Sequence, residues 1–83
     1  MCQDPQREAA IDVSDEARKM LNAREEHLRC LLFKEMKNGN YYAAGRVMRI
    51  RDRYIIGVAT RYEEEWDEVW RIAQRSLDGL DGA

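Results

Sequence analysis

Residues that could do chemistry are few in this chain, and their spacing suits none of the common mechanisms. His27 is the single histidine, and neither Cys2 nor Cys30 belongs to a set of three or four cysteines and histidines at zinc-ligand spacing. Hydroxyl nucleophiles are limited to Ser14, Thr60, Ser76 and four tyrosines, none in a motif with His27. The run Glu63-Glu64-Glu65-Trp66-Asp67-Glu68 offers five carboxylates of the kind that take a divalent cation. A di-iron helical bundle, however, needs a glutamate three residues before its histidine, and that position is Arg24. There is no glycine-rich phosphate loop. His27 falls beside an apolar stripe as a boundary residue, and Cys30, inside an apolar run, is expected to be a small buried hydrophobe. The sequence therefore predicts a non-enzyme with no metal site and no cofactor.

The elements that carry these residues must fit in one domain, since the chain has 83 residues. Fourteen basic and sixteen acidic residues give a formal net charge of −2, which argues against a protein held on nucleic acid by charge alone. No apolar run is long enough to span a bilayer, and Met1-Cys2-Gln3-Asp4-Pro5 lacks the features of a secretion signal. A cytoplasmic protein with no membrane partner is the expectation. A core of this size supplies roughly 3–5 kcal/mol, and two cysteines make no disulfide framework. Self-association is one source of further stability.

Residues 1–12 are polar and aperiodic, and are expected to form a tail. Asp12 and Ser14 are both N-cap types, Asp15 and Glu16 suit a helix start, and apolar residues recur at helical spacing from Ala17 to Leu32. Asp15/Lys19 and Glu25/Arg29 are spaced as helical ion pairs. Gly39 reads as the C′ residue ending a first helix over about 14–38. Asn40 can cap a second. Its apolar stripe holds phase across Gly57, predicting one continuous helix over about 41–77, with 79–83 as a short tail. The fold expected for 13–78 is an all-α antiparallel helical hairpin whose long second arm overhangs the first and is completed by self-association. The alternative is a three-helix bundle broken near Gly57. The run Leu28-Arg29-Cys30-Leu31-Leu32-Phe33 is apolar nearly all round, which demands partners on more than one side.

In heptads, the second helix places Met48, Ile55, Tyr62 and Val69 at one seam position and Arg51, Val58, Glu65 and Ile72 at the other. Two copies crossing antiparallel at Val58 would set Arg51 against Glu65 twice. The self-association set is then Arg51, Ile55, Val58, Tyr62, Glu65 and Val69. On the same logic the basic block 46–53, with four arginines and one aspartate, would meet the acidic block 63–68. The competing reading makes these blocks solvated faces served by local pairs such as Arg61/Glu65 and Glu68/Arg71. Glu63, Glu64, Trp66, Asp67 and Trp70 form a candidate partner-binding face, with packing as the alternative role of the tryptophans. Arg46, Arg49 and Arg53 share a helix face that could track phosphates, although five acids follow on the same helix.

The segment Gly39-Asn40-Tyr41-Tyr42-Ala43-Ala44-Gly45-Arg46-Val47 resembles the helical-hairpin turn of phage DNA-packaging terminase small subunits. In that family a glycine is followed by an apolar pair, a short cap and a valine opening the second helix. Gly39, Tyr41 with Tyr42, and Val47 match those positions. Ala43, Gly45 and Arg46 stand where the family has proline and acidic residues, and about twelve preceding residues do not make its winged helix-turn-helix. The resemblance implies an oligomerising or partner-docking piece, with DNA read elsewhere. The turn is also similar to helix starts in tetratricopeptide-type repeats, although the chain has no internal repeat. The function expected is a non-enzymatic module that associates with itself and with another protein, in phage DNA packaging if the resemblance holds. The alternative is a monomeric helical binder or inhibitor, phage or mobile-element encoded, acting through its acidic face.

Overall fold

The computed structural model describes residues 14–82, which places the 1–12 tail and Cys2 outside the described residues. The chain is all-α. Helix α1 spans Asp15–Lys37, α2 spans Tyr41–Thr60, a 3-10 turn spans Glu63–Glu65, and α3 spans Trp66–Gly82.

Local chemistry sets the first two helices where the sequence places them. The Ser14 hydroxyl accepts from the Ala17 amide at 3.1 Å, and Asp15 and Glu16 occupy the first turn of α1. Lys34 and Lys37 sit at its negative end. Gly39 turns the chain at φ +76°, a conformation that glycine alone adopts freely. Asn40 then caps α2 by accepting from the Ala43 amide at 3.4 Å.

The second arm does not overhang. Arg61 (φ −124°, ψ 163°) and Tyr62 (φ −76°, ψ 160°) are extended, and the chain reverses there to bring α3 back along α2. The helix expected over 41–77 is thus two helices, and the arrangement is the three-helix alternative, with the break just past Gly57. Three features replace the missing glycine or proline as stop signals. The Thr60 hydroxyl bonds back to the Ile56 carbonyl at 3.0 Å, the kind of side-chain bond that competes with regular helix. Glu63, Glu64, Glu65, Asp67 and Glu68 crowd negative charge where a helix N-terminus is favoured by it. Trp66, the first residue of α3, folds its indole back over the end of α2.

The core runs between all three helices. Leu28 (0% exposed), Ile50, Tyr54, Val69 and Ala73 form one cluster, flanked by Leu21, Val58 and Trp70. Leu32, Ala44 and Val47 form a second, nearer the Gly39 turn, where Leu31, Leu77 and Leu80 close over it. Leu80 explains why α3 runs through Gly79 to Gly82 instead of ending at a tail from 79: it extends the apolar stripe of Val69, Ala73 and Leu77. At Gly57 the two helices approach so closely that a Cβ would lie 2.8 Å from Val69 Cγ1. The apolar run 28–33 does find partners, but on one side. Leu28 and Leu32 are buried, whereas Phe33 and Cys30 are exposed, so Cys30 is not the buried residue expected.

Candidate functional site

Folding α3 back removes the geometry on which the Arg51–Glu65 register depends, because that seam needs an uninterrupted helix from Met48 to Ile72. Arg51 is instead held within the chain by Glu25, with Nη2 2.6 Å and Nε 2.8 Å from Oε2. Glu25 therefore reaches across to α2 and not along α1 to Arg29. Val69 lies in the core, and Val58 is half-buried against it. Of the six residues expected to self-associate, Ile55, Tyr62 and Glu65 stay exposed. Glu65 faces Arg61 at 3.8 Å and Glu68 faces Arg71 at 2.6 Å, the local pairs of the competing reading.

The expected partner-binding face divides in the same way. Trp66 is 6% exposed and donates its indole N–H to the Val58 and Arg61 carbonyls, so it fastens the corner and cannot serve as an exposed anchor. Trp70 is half-buried, packed edge-on to Tyr54 (centroids 5.3 Å apart) and His27 (6.1 Å), with the Arg24 guanidinium 5.4 Å from its ring centre. Asp67 takes a 2.8 Å hydrogen bond from Arg24. Only Glu63 and Glu64 of that set are exposed with no such contact among the described residues. Arg46, Arg49 and Arg53 remain on one flank of α2. Arg46 lies over the Tyr42 ring and hydrogen-bonds its hydroxyl at 3.2 Å, and Arg53 lines a shallow groove toward α3 with Arg61. Among the described residues no group of His, Cys, Asp or Glu is arranged to hold a metal ion, and no helix is long and apolar enough to cross a membrane.

What the structure brings together is a different surface. At about 100° per residue, the residues of α2 facing α3 are Ile50, Tyr54 and Gly57, and those facing α1 are Val47, Arg51 and Val58. Beyond the α1 side lies an outward stripe of Tyr41 (71% exposed), Met48 (46%) and Ile55 (42%). On α1 the corresponding outer flank carries Asn22, Arg29 and the exposed Met36. A groove of about 290 Å³ runs between these flanks, where Asn22 and Leu21 meet Ile55, Val58 and Ala59. So α3 covers one face of the α1–α2 hairpin, and on the opposite face no described element covers Tyr41, Met48 and Ile55.

Met48 and Ile55 belonged to the expected seam. Tyr41, Gly45, Asp52 and Ala59 were missed, although their spacing is readable: 41, 45, 48, 52, 55 and 59 alternate by four and three. The assumption of one long helix put the other seam position on Arg51, Val58, Glu65 and Ile72, of which Arg51 and Val58 face α1 and Glu65 and Ile72 lie past the corner. Comparison with known proteins finds no matching family model, no matching curated protein and no matching solved structure.

Proposed function

We propose that this chain is a non-enzymatic helical protein-binding module whose working surface is the outer face of the α1–α2 hairpin. One observation carries the reading: Tyr41, Met48 and Ile55 stand exposed on a single stripe while α3 seals the other side of the same hairpin. Aromatic residues and methionine are enriched at the centre of protein interfaces, and large apolar side chains lined up exposed on one helix face of a small domain mark an interaction site. The acidic residues 63–68, by contrast, are accounted for by the start of α3.

A photo-activated cross-linking residue placed at Asn22, beside the groove, tests this in cells that make the protein. Cross-links to a defined protein are expected from Asn22, lost on adding Ile55→Glu, and absent when the probe stands at the exposed Arg75 of α3. Equal labelling from both positions, or none from Asn22, overturns the reading. A narrower version, a terminase-like assembly piece, is supported by the hairpin turn, where Gly39 takes the left-handed conformation and Tyr41 and Tyr42 follow as an exposed apolar pair.

A further inference from the structure

We propose that the occupant of this face is a second copy of the chain, laid antiparallel along α2 with the two-fold axis at the level of Ile50. The inference rests on the outer face being a binding surface and names what binds there. It is independent of the overhanging arm, which does not exist.

The seam residues Tyr41, Gly45, Met48, Asp52, Ile55 and Ala59 divide by size. Large side chains occupy one seam position, Tyr41, Met48 and Ile55, and small or polar ones the other, Gly45, Asp52 and Ala59. In an antiparallel pair, facing residues lie equally far from the axis in opposite directions. Tyr41 then meets Ala59 of the second copy, Ile55 meets Gly45, and Met48 meets Asp52. Every large side chain meets a small or short one. A parallel pair would stack Tyr41 on Tyr41 and Gly45 on Gly45, overpacking one layer and leaving the next empty.

The receiving side is open. A Cβ built at Gly45 finds nothing within 4 Å among the described residues, so none of them fills the hole that Ile55 of the second copy would enter. Charge favours the same register. Asp52 is exposed and makes no ion pair among the described residues, and neither does Arg49 on the same flank one turn earlier. Matching flanks meet in an antiparallel helix pair, which brings Asp52 beside Arg49 of the second copy and, by symmetry, Arg49 beside Asp52. An acidic peptide would satisfy Arg49 but would leave Asp52 facing like charge. The seam covers one helix about 30 Å long, which puts the contact at the small end of specific interfaces.

Analytical ultracentrifugation of the full chain from ~10 to ~300 µM tests the proposal, with a reversible monomer–dimer equilibrium expected over that range. Gly45→Leu fills the hole and is expected to weaken the dimer at least about tenfold. The same change should raise the monomer's melting temperature, because leucine is favoured over glycine in a helix and the site is open. A lost dimer is thereby separated from a lost fold. Asp52→Arg alone should weaken association about fivefold, and adding Arg49→Asp should restore it to within about twofold. A monomer at every concentration, or a dimer indifferent to Gly45→Leu and to the charge swap, overturns the proposal. A monomer that still cross-links through Asn22 to a different protein refutes the second copy while leaving the binding face in place.

Discussion

The indole N–H of Trp66 is shared between two backbone carbonyls, Val58 at 3.0 Å and Arg61 at 3.1 Å. Both oxygens lie at the C-terminal end of α2, in its last turn and at its C-cap, where carbonyls lose their helical donors. One side chain thus caps α2, begins α3 and fills the corner between them. Trp66→Phe keeps most of the apolar bulk but removes the donor, and is expected to cost about 1–2 kcal/mol in urea unfolding. Trp66→Ala should cost about 3–5 kcal/mol. A Trp66→Phe chain as stable as the parent would show that the hydrogen bonds contribute nothing.

Gly57 and Gly45 lie on one helix but should answer alanine oppositely. A Cβ at Gly57 would meet Val69 Cγ1 at 2.8 Å, so Gly57→Ala must displace the Val69 side chain or the helix that carries it, at about 1–3 kcal/mol. Shortening the obstacle with Val69→Ala in the same chain should return part of that loss. Gly45→Ala meets open space and should stabilise by up to about 1 kcal/mol through helix propensity. Matching signs at the two sites would mean that the α2–α3 approach is looser than the structure has it.

Arg51 and Glu25 join α1 to α2 through a half-buried, two-nitrogen contact. A double-mutant cycle with Arg51→Met and Glu25→Gln is expected to give a coupling of about 1 kcal/mol in stability. Glu65→Arg should not rescue an Arg51→Glu chain, because Glu65 stands at the far corner beside Arg61. Rescue by Glu65→Arg would restore the intermolecular pairing that the folded-back α3 removes.

The hairpin was legible from the sequence because its signals are local. Ser14, Gly39 and Asn40 act within four residues of where they stand, and all three do in the structure what their types predict. The corner at Arg61 and Tyr62 was hidden for a physical reason. An apolar stripe that keeps phase through a turn looks the same whether the helix continues or folds back, since both arrangements bury Tyr54, Val69 and Ala73. Only the Thr60 hydroxyl and the five acids of 63–68 marked a stop and a start, and acids grouped on a helix also read as a surface patch. Misplacing that corner moved Trp66 and Val69 from the core to a binding face and concealed the α2 stripe now exposed. Cys30 was misjudged because an apolar neighbourhood in sequence does not say which flank a third helix will cover.

Tyr54 gives the fold a pH dependence of its own. Burial against Trp70 and the core raises its hydroxyl pKa above the usual 10.0; Arg24 pulls the other way, and Asp67 adds to the rise. Neither the hydroxyl nor Arg24 Nη1 completes a hydrogen bond, so the neutral phenol is tolerated while the phenolate is opposed by desolvation. Because the folded-state pKa lies above the unfolded one, this stability is fully present below about pH 10 and is lost as pH rises through the folded value. Tyr54→Phe should leave stability at neutral pH within about 1 kcal/mol of the parent, since it removes an unpaired buried hydroxyl. It should also flatten the fall in unfolding free energy between about pH 9 and about pH 11, measured by urea titration at each pH. The same alkaline slope in both proteins would show that Tyr54 ionises as freely when folded as when unfolded.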